Sequence, residues 1–157
     1  MRHTIVALME DRPGVLNRVA NLFRRRNFNI DSLAVGHSEV SGISRMTIVV
    51  NGDDRTLEQV DKQLQKLVNV TKVYDMKAET SVLRELAMVK VHATPSNRSE
   101  VIGLANIFRA SIVDVSPESL IIEITGTQDK IESLLELLRP YGVKELSRTG
   151  VLAMGRG

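Results

Sequence analysis

The chain has 157 residues, 43% of them apolar and 25% charged, the balance of an ordinary globular protein of one domain or two small ones. No window reaches the roughly 18 uncharged apolar residues of a membrane span, and the absence of cysteine excludes disulfides, thiol nucleophiles and zinc–cysteine sites. Twenty-one basic against nineteen acidic residues leave a net charge of +2, and 3% aromatic residues are too few for a base-stacking nucleic-acid platform.

Residues 4–9 form a short apolar run that reads as a buried strand. Asp11-Arg12-Pro13-Gly14 breaks it, and Val15, Leu16, Val19, Ala20 and Phe23 then recur at helical spacing until Asn27. Residues 30–35 predict a strand, and residues 36–42 a polar connection. Met46, Ile48 and Val50 alternate with Arg45, Thr47 and Val49, the pattern of a strand with one buried face. Asp53-Asp54 reads as the N-cap of a helix whose stripe is Leu57, Val60, Leu64, Leu67 and Val68. A weaker strand follows at residues 70–76, and residues 77–84 read as a linker.

The second half repeats this order. Residues 86–93 read as a strand, Asn97 with Glu100 resembles a capping box, and Val101, Leu104, Ala105 and Phe108 mark a helix. Residues 112–115 and 120–124 read as two strands. Thr127 caps a helix carrying Ile131, Leu134, Leu135 and Leu138, and residues 143–154 read as a strand interrupted at Gly150. Two β-α-β-β-α-β units predict two ferredoxin-like α+β sandwiches in tandem, residues 1–78 and 79–157, each with both helices on one face of an antiparallel sheet. Strands this apolar rarely face water. The open faces or edges are therefore expected to associate, most simply in a homodimer.

Catalysis finds no foothold. His3, His37 and His92 are scattered, and no phosphate loop, HExxH or serine elbow occurs. The Arg24-Arg25-Arg26 run reads as a solvated helix C-terminus whose cations oppose the dipole. The informative stretch is the first strand–helix junction. Gly14 leaves the backbone open to close approach, and the N–H groups of Gly14, Val15 and Leu16 at a helix start suit a small carboxylate. A ligand ammonium has candidate partners in the Asp11 side chain and the carbonyls around Asn29 and Ile30. The plainer reading is a well-made helix start with Asp11 as its cap.

Glu10-Asp11-Arg12-Pro13-Gly14-Val15-Leu16-Asn17-Arg18-Val19-Ala20 resembles the opening of an ACT domain, the amino-acid-sensing module, and is most similar to that of the regulatory (small) subunits of acetolactate synthase. Asn27-Phe28-Asn29-Ile30-Asp31-Ser32-Leu33, Ser44-Arg45-Met46-Thr47-Ile48, residues 59–70, Phe108-Arg109-Ala110 and Arg148-Thr149-Gly150-Val151 extend the resemblance over the whole chain. It implies an N-terminal ACT domain, a smaller C-terminal domain, and a non-catalytic cytoplasmic subunit. Such a subunit binds a separate catalytic subunit, raises its activity and confers feedback inhibition by valine or a related branched-chain amino acid. It also implies that thiamine diphosphate, Mg and FAD belong to the catalytic subunit, with no cofactor, metal, nucleic acid or membrane on this chain. The effector site it implies lies between two ACT domains, with Asp11, Gly14, Val15 and Leu16 of one copy facing Asn29 and Ile30 of the other. Several family members carry Asn where this chain has Asp11, whose carboxylate attracts an amino acid's ammonium and repels its carboxylate. The alternative is a free-standing tandem amino-acid-binding regulator acting on another partner. The C-terminal half has Thr94-Pro95-Ser96-Asn97 in place of a Pro-Gly junction, so a protein-interaction role is expected there.

Overall fold

The computed structural model describes residues 1–157. The chain divides into two compact units, Met1–Val82 together with Val151–Gly157, and Leu83–Gly150. The sequence places the division at residue 78 and leaves the C-terminus in the second half. The structure moves the boundary to residue 82 and returns the last seven residues to the first unit. Both units have the expected β-α-β-β-α-β order.

In the first unit the elements are β1 (Arg2–Glu10), α1 (Val15–Arg26), β2 (Asn29–His37), β3 (Ile43–Asn51), α2 (Asp54–Gln65) and β4 (Val70–Met76). The antiparallel sheet has the order β2-β3-β1-β4, which leaves β2 and β4 as edges. Ile5, Ala7, Met9, Met46, Ile48 and Val50 pack on Val15, Val19, Leu22 and Phe23 of α1 and Val60 and Leu64 of α2. Asn27 ends α1 in the left-handed region (φ +56°), and Phe28 folds back edge-on to Phe23 at 5.8 Å. Asp53 caps α2 through Thr56, as expected. Leu67 and Val68 lie beyond the end of α2, and Val68 is 92% exposed, so the predicted stripe overruns the helix by a turn.

Alternation along β3 predicts one buried face, but Thr47 and Val49 are buried as fully as Met46 and Ile48. The C-terminal segment reaches this same face through Arg45. Its strand β9 (Leu152–Gly155) approaches β4, and the Arg45 guanidinium donates to the Ala153 carbonyl at 2.6 Å. Val151 and Ala153 are buried, and Arg156 N–H donates to Thr80 O at 2.8 Å. The face opposite the helices therefore carries the protein's own last residues.

The second unit comprises β5 (Ser81–His92, whose first two residues belong to the first unit), α3 (Arg98–Ile107), β6 (Ser111–Val115), β7 (Ser119–Gly126), α4 (Gln128–Leu138) and β8 (Val143–Arg148). Its sheet order is β6-β7-β5-β8. The expected linker shrinks to a 3-10 turn at Ala78–Thr80. Thr127 caps α4 by accepting from Lys130 N–H. The capping box at α3 does not form. Asn97 Oδ1 turns back to accept Thr94 N–H at 2.7 Å, and Glu100 instead takes the Tyr141 hydroxyl at 2.9 Å. Near the end of β8, Arg148 joins buried Glu85 to Glu132 of α4.

Candidate functional site

The β1–α1 junction is held from three sides. Glu10 N–H donates to Asn69 O at 2.9 Å, and Asp11 N–H to Gly42 O at 2.9 Å. The Glu10 carboxylate receives Arg12 Nε at 3.0 Å and Asn69 Nδ2 at 3.1 Å, while Arg18 donates to the Asn69 side-chain oxygen. With its walls so fixed, the chain turns into α1 through Pro13 and Gly14.

Gly14 is the N-cap of α1, at φ +88°, ψ −15°, and no side chain caps the helix. That backbone conformation favours glycine, although a Cβ there would meet no atom within 4 Å. Its carbonyl accepts Arg18 N–H at 3.0 Å. Of the three donors expected to point outward, Val15 N–H is engaged by Arg12 O at 3.3 Å. The N–H groups of Gly14, Leu16 and Asn17 have no acceptor within the chain. Asp11 does not cap the helix. Its carboxylate lies 3.2 Å from His37 Nδ1, at the far end of β2.

Between α1 and β2 runs a groove of about 330 Å³, lined by Leu16, Ala20 and Phe23 on one side and Phe28, Ile30 and Leu33 on the other, with Met46 among its lining residues. Leu16, Leu33 and Val35 are 48%, 43% and 45% exposed. Register places Leu33 opposite Ile48 and Val35 opposite Met46, on the core side of the sheet. β2 has only β3 as a neighbour, so its outer edge is open. Of the six sequence-predicted residues, Leu16 and Ile30 line this groove within one chain. Val15 contributes to the core, and exposed Asn29 begins β2, while Asp11 and Gly14 stand at the junction. His37 escaped the sequence reading because it falls in what read as a polar connection. Its alternation with Leu33 and Val35 was the available signal. No group of three or more His, Asp or Glu side chains is placed to hold a metal ion.

Residues 5–72 match the model of the AHAS small subunit-like ACT domain, and residues 84–157 match that of the small subunit of acetolactate synthase. The chain is 58% identical over 157 residues to a probable acetolactate synthase small subunit of Archaeoglobus fulgidus, covering 100% of this chain and 98% of the relative. This chain belongs to the acetolactate synthase small-subunit family. An acetolactate synthase small subunit of Bacillus subtilis is 48% identical over 158 residues, 100% of this chain and 92% of that one. The crystal structure of the small subunit from Thermotoga maritima superposes with a TM-score of 0.92 at 46% identity, covering 100% of this chain and 98% of that chain. Membership makes the chain a small, regulatory subunit with an ACT-type first unit, as the motif strings imply. No helix is long and apolar enough to cross a membrane.

Proposed function

We propose that this chain activates a thiamine-diphosphate-dependent acetolactate synthase catalytic subunit in the cytoplasm and confers feedback inhibition by valine or a related branched-chain amino acid. The first unit senses and dimerises, and the thiamine diphosphate, Mg and FAD sit on the catalytic subunit. The observation that carries this reading is the pairing, in one unit, of an open helix start at Gly14 with an open, apolar-flanked edge at β2. Joined to a second copy along β2, the Leu16 and Ile30 groove would take an aliphatic side chain. The unengaged N–H groups at Gly14 and Leu16 would receive the effector carboxylate, helped by the helix dipole. Asp11 and the carbonyls around Asn29 and Ile30 would receive the ammonium. His37 Nδ1 lies 3.2 Å from the same Asp11 carboxylate.

Calorimetry with valine, leucine and isoleucine, with and without the catalytic subunit, tests the reading. We expect a complex with the catalytic subunit, stimulation of its activity, and binding of at least one of the three amino acids. Amino-acid binding with no complex and no stimulation would favour a free-standing regulator acting on another partner. Apolar pockets separate ligands differing by one methylene by only about 1–3 kcal/mol, so the ranking of the three is the informative readout.

A further inference from the structure

Three of the sequence strings singled out above converge on one feature of the first unit. Ser32 comes from the Phe-Asn-Ile-Asp-Ser-Leu string, Arg45 from Ser-Arg-Met-Thr, and Val151 from Arg-Thr-Gly-Val. The Ser32 hydroxyl accepts Val151 N–H at 2.9 Å, and Arg45 Nη2 donates to the Ala153 carbonyl at 2.6 Å. Register puts Ser32 opposite Val49, and Arg45 opposite Gly36 and Leu8, so both lie on the face away from α1 and α2. With Arg156 on Thr80, the last residues cross that face from the edge strand over β3 to the end of the unit.

The first of these bonds falls at a weak point. β2 is held by one neighbour, and its ladder with β3 loses register between Ile30 and Ser32. An interrupted ladder leaves a strand locally free to bend. Ser32 stands at that interruption, and Ile30 and Leu33 on either side of it line the α1–β2 groove. Arg45 forms no ion pair. Its guanidinium is spent on a backbone carbonyl that only the C-terminal segment supplies.

We infer that Val151–Gly157 is a strap that fixes the position of β2 and thereby the shape of the α1–β2 groove, with Ser32 and Arg45 as its positioning residues. The hold on β2 stands independently, while the consequence for effector affinity rests on the function proposed above.

The test uses the full-length chain and the variants S32A, R45M and R45K. Hydrogen exchange without ligand is followed over β2, with β1 and α2 as references. Losing one such bond is expected to speed exchange over residues 29–37 by about tenfold in S32A and R45M, with the references unmoved. R45K keeps a donor and is expected to stay within about threefold of the unmodified chain. Calorimetry with valine is expected to show affinity roughly three- to tenfold weaker in S32A and R45M, and restored in R45K. Unchanged exchange over β2, or an equal rise in every element of the unit, overturns the strap. Faster β2 exchange with unaltered valine affinity overturns its control of the groove. If the unmodified chain binds no valine, the effector reading fails, and the exchange data alone decide the strap.

Discussion

At Gly14 two contributions that usually travel together come apart. The residue sits at φ +88° with open space where a Cβ would be. Alanine there meets backbone strain alone, about 1–2 kcal/mol, a fall in melting temperature of several degrees for a unit of this size. Aspartate adds a carboxylate beside the Gly14 and Leu16 N–H groups, where the effector's own carboxylate is proposed to sit. We therefore expect Gly14→Ala and Gly14→Asp to melt at similar temperatures, with Gly14→Asp alone abolishing valine inhibition of the complex. Undiminished inhibition in Gly14→Asp would rule out this site. Arg148 poses a different test. Glu85 is only 3% exposed, and Arg148 is its charged partner. Arg148→Met leaves that carboxylate buried and unpaired, which costs about 3–5 kcal/mol in comparable pairs. Adding Glu85→Gln should recover part of this loss in urea unfolding. The Arg148-Thr149-Gly150-Val151 string was visible in the sequence, but its physical work was not. Glu85 lies 63 residues away, and nothing local marks the pairing.

Among the elements, those that read correctly obeyed local rules. The α1 stripe, the Asn27 stop, the Asp53 and Thr127 caps and β4 all follow from spacing and capping chemistry within a few residues. The misreadings share a cause, the intervention of a distant segment. Asn97 is a good capping residue, but its side chain is taken by Thr94, and Glu100 by Tyr141. β3 alternates as though half-exposed, yet Thr47 and Val49 are buried on the face that the returning C-terminus reaches through Arg45. Asp53 offers a clean check of a legible element. Hydrogen bonds from the Thr56 N–H and hydroxyl hold its carboxyl below the ordinary 3.8. Its folded pKa is therefore depressed. The stabilisation is fully present above pH 3.8 and is lost as pH falls through the lower folded value. Asp53→Asn should keep the cap at neutral pH yet lack this acid-dependent loss, whereas Asp53→Ala should be less stable at every pH. Thermal melts of the three proteins between pH 3 and 7 read the difference directly.

For the whole molecule, the two-unit plan was legible because the repeat is visible in hydrophobic period alone. The route of the chain was not, because the return of residues 151–157 to the first unit depends on hydrogen bonds to Ser32 and Arg45, more than a hundred residues earlier. The same return changes the argument for self-association. The open sheet face of the first unit, expected to seek a partner, is already occupied by the chain's own end. The edge of β2 and its exposed Leu33 and Val35 remain, and an open edge flanked by apolar side chains is a template for pairing. A dimer built on that edge would bring Asn29 and Ile30 of one copy towards the Gly14 junction of the other. A charged side chain, lysine above all, is one way that natural edge strands prevent such pairing. Leu33 is 43% exposed, so a lysine there can direct its ammonium to solvent and leave the core in place. We expect the unmodified chain to sediment as a dimer and Leu33→Lys as a monomer at the same concentration, with a far-ultraviolet circular dichroism spectrum that does not change. Valine binding should fall too, because Leu33 lines the α1–β2 groove and the partner's contribution goes with the dimer. A Leu33→Lys protein that stays dimeric would place the interface elsewhere, and one that becomes monomeric yet binds valine normally would place the effector site within a single chain.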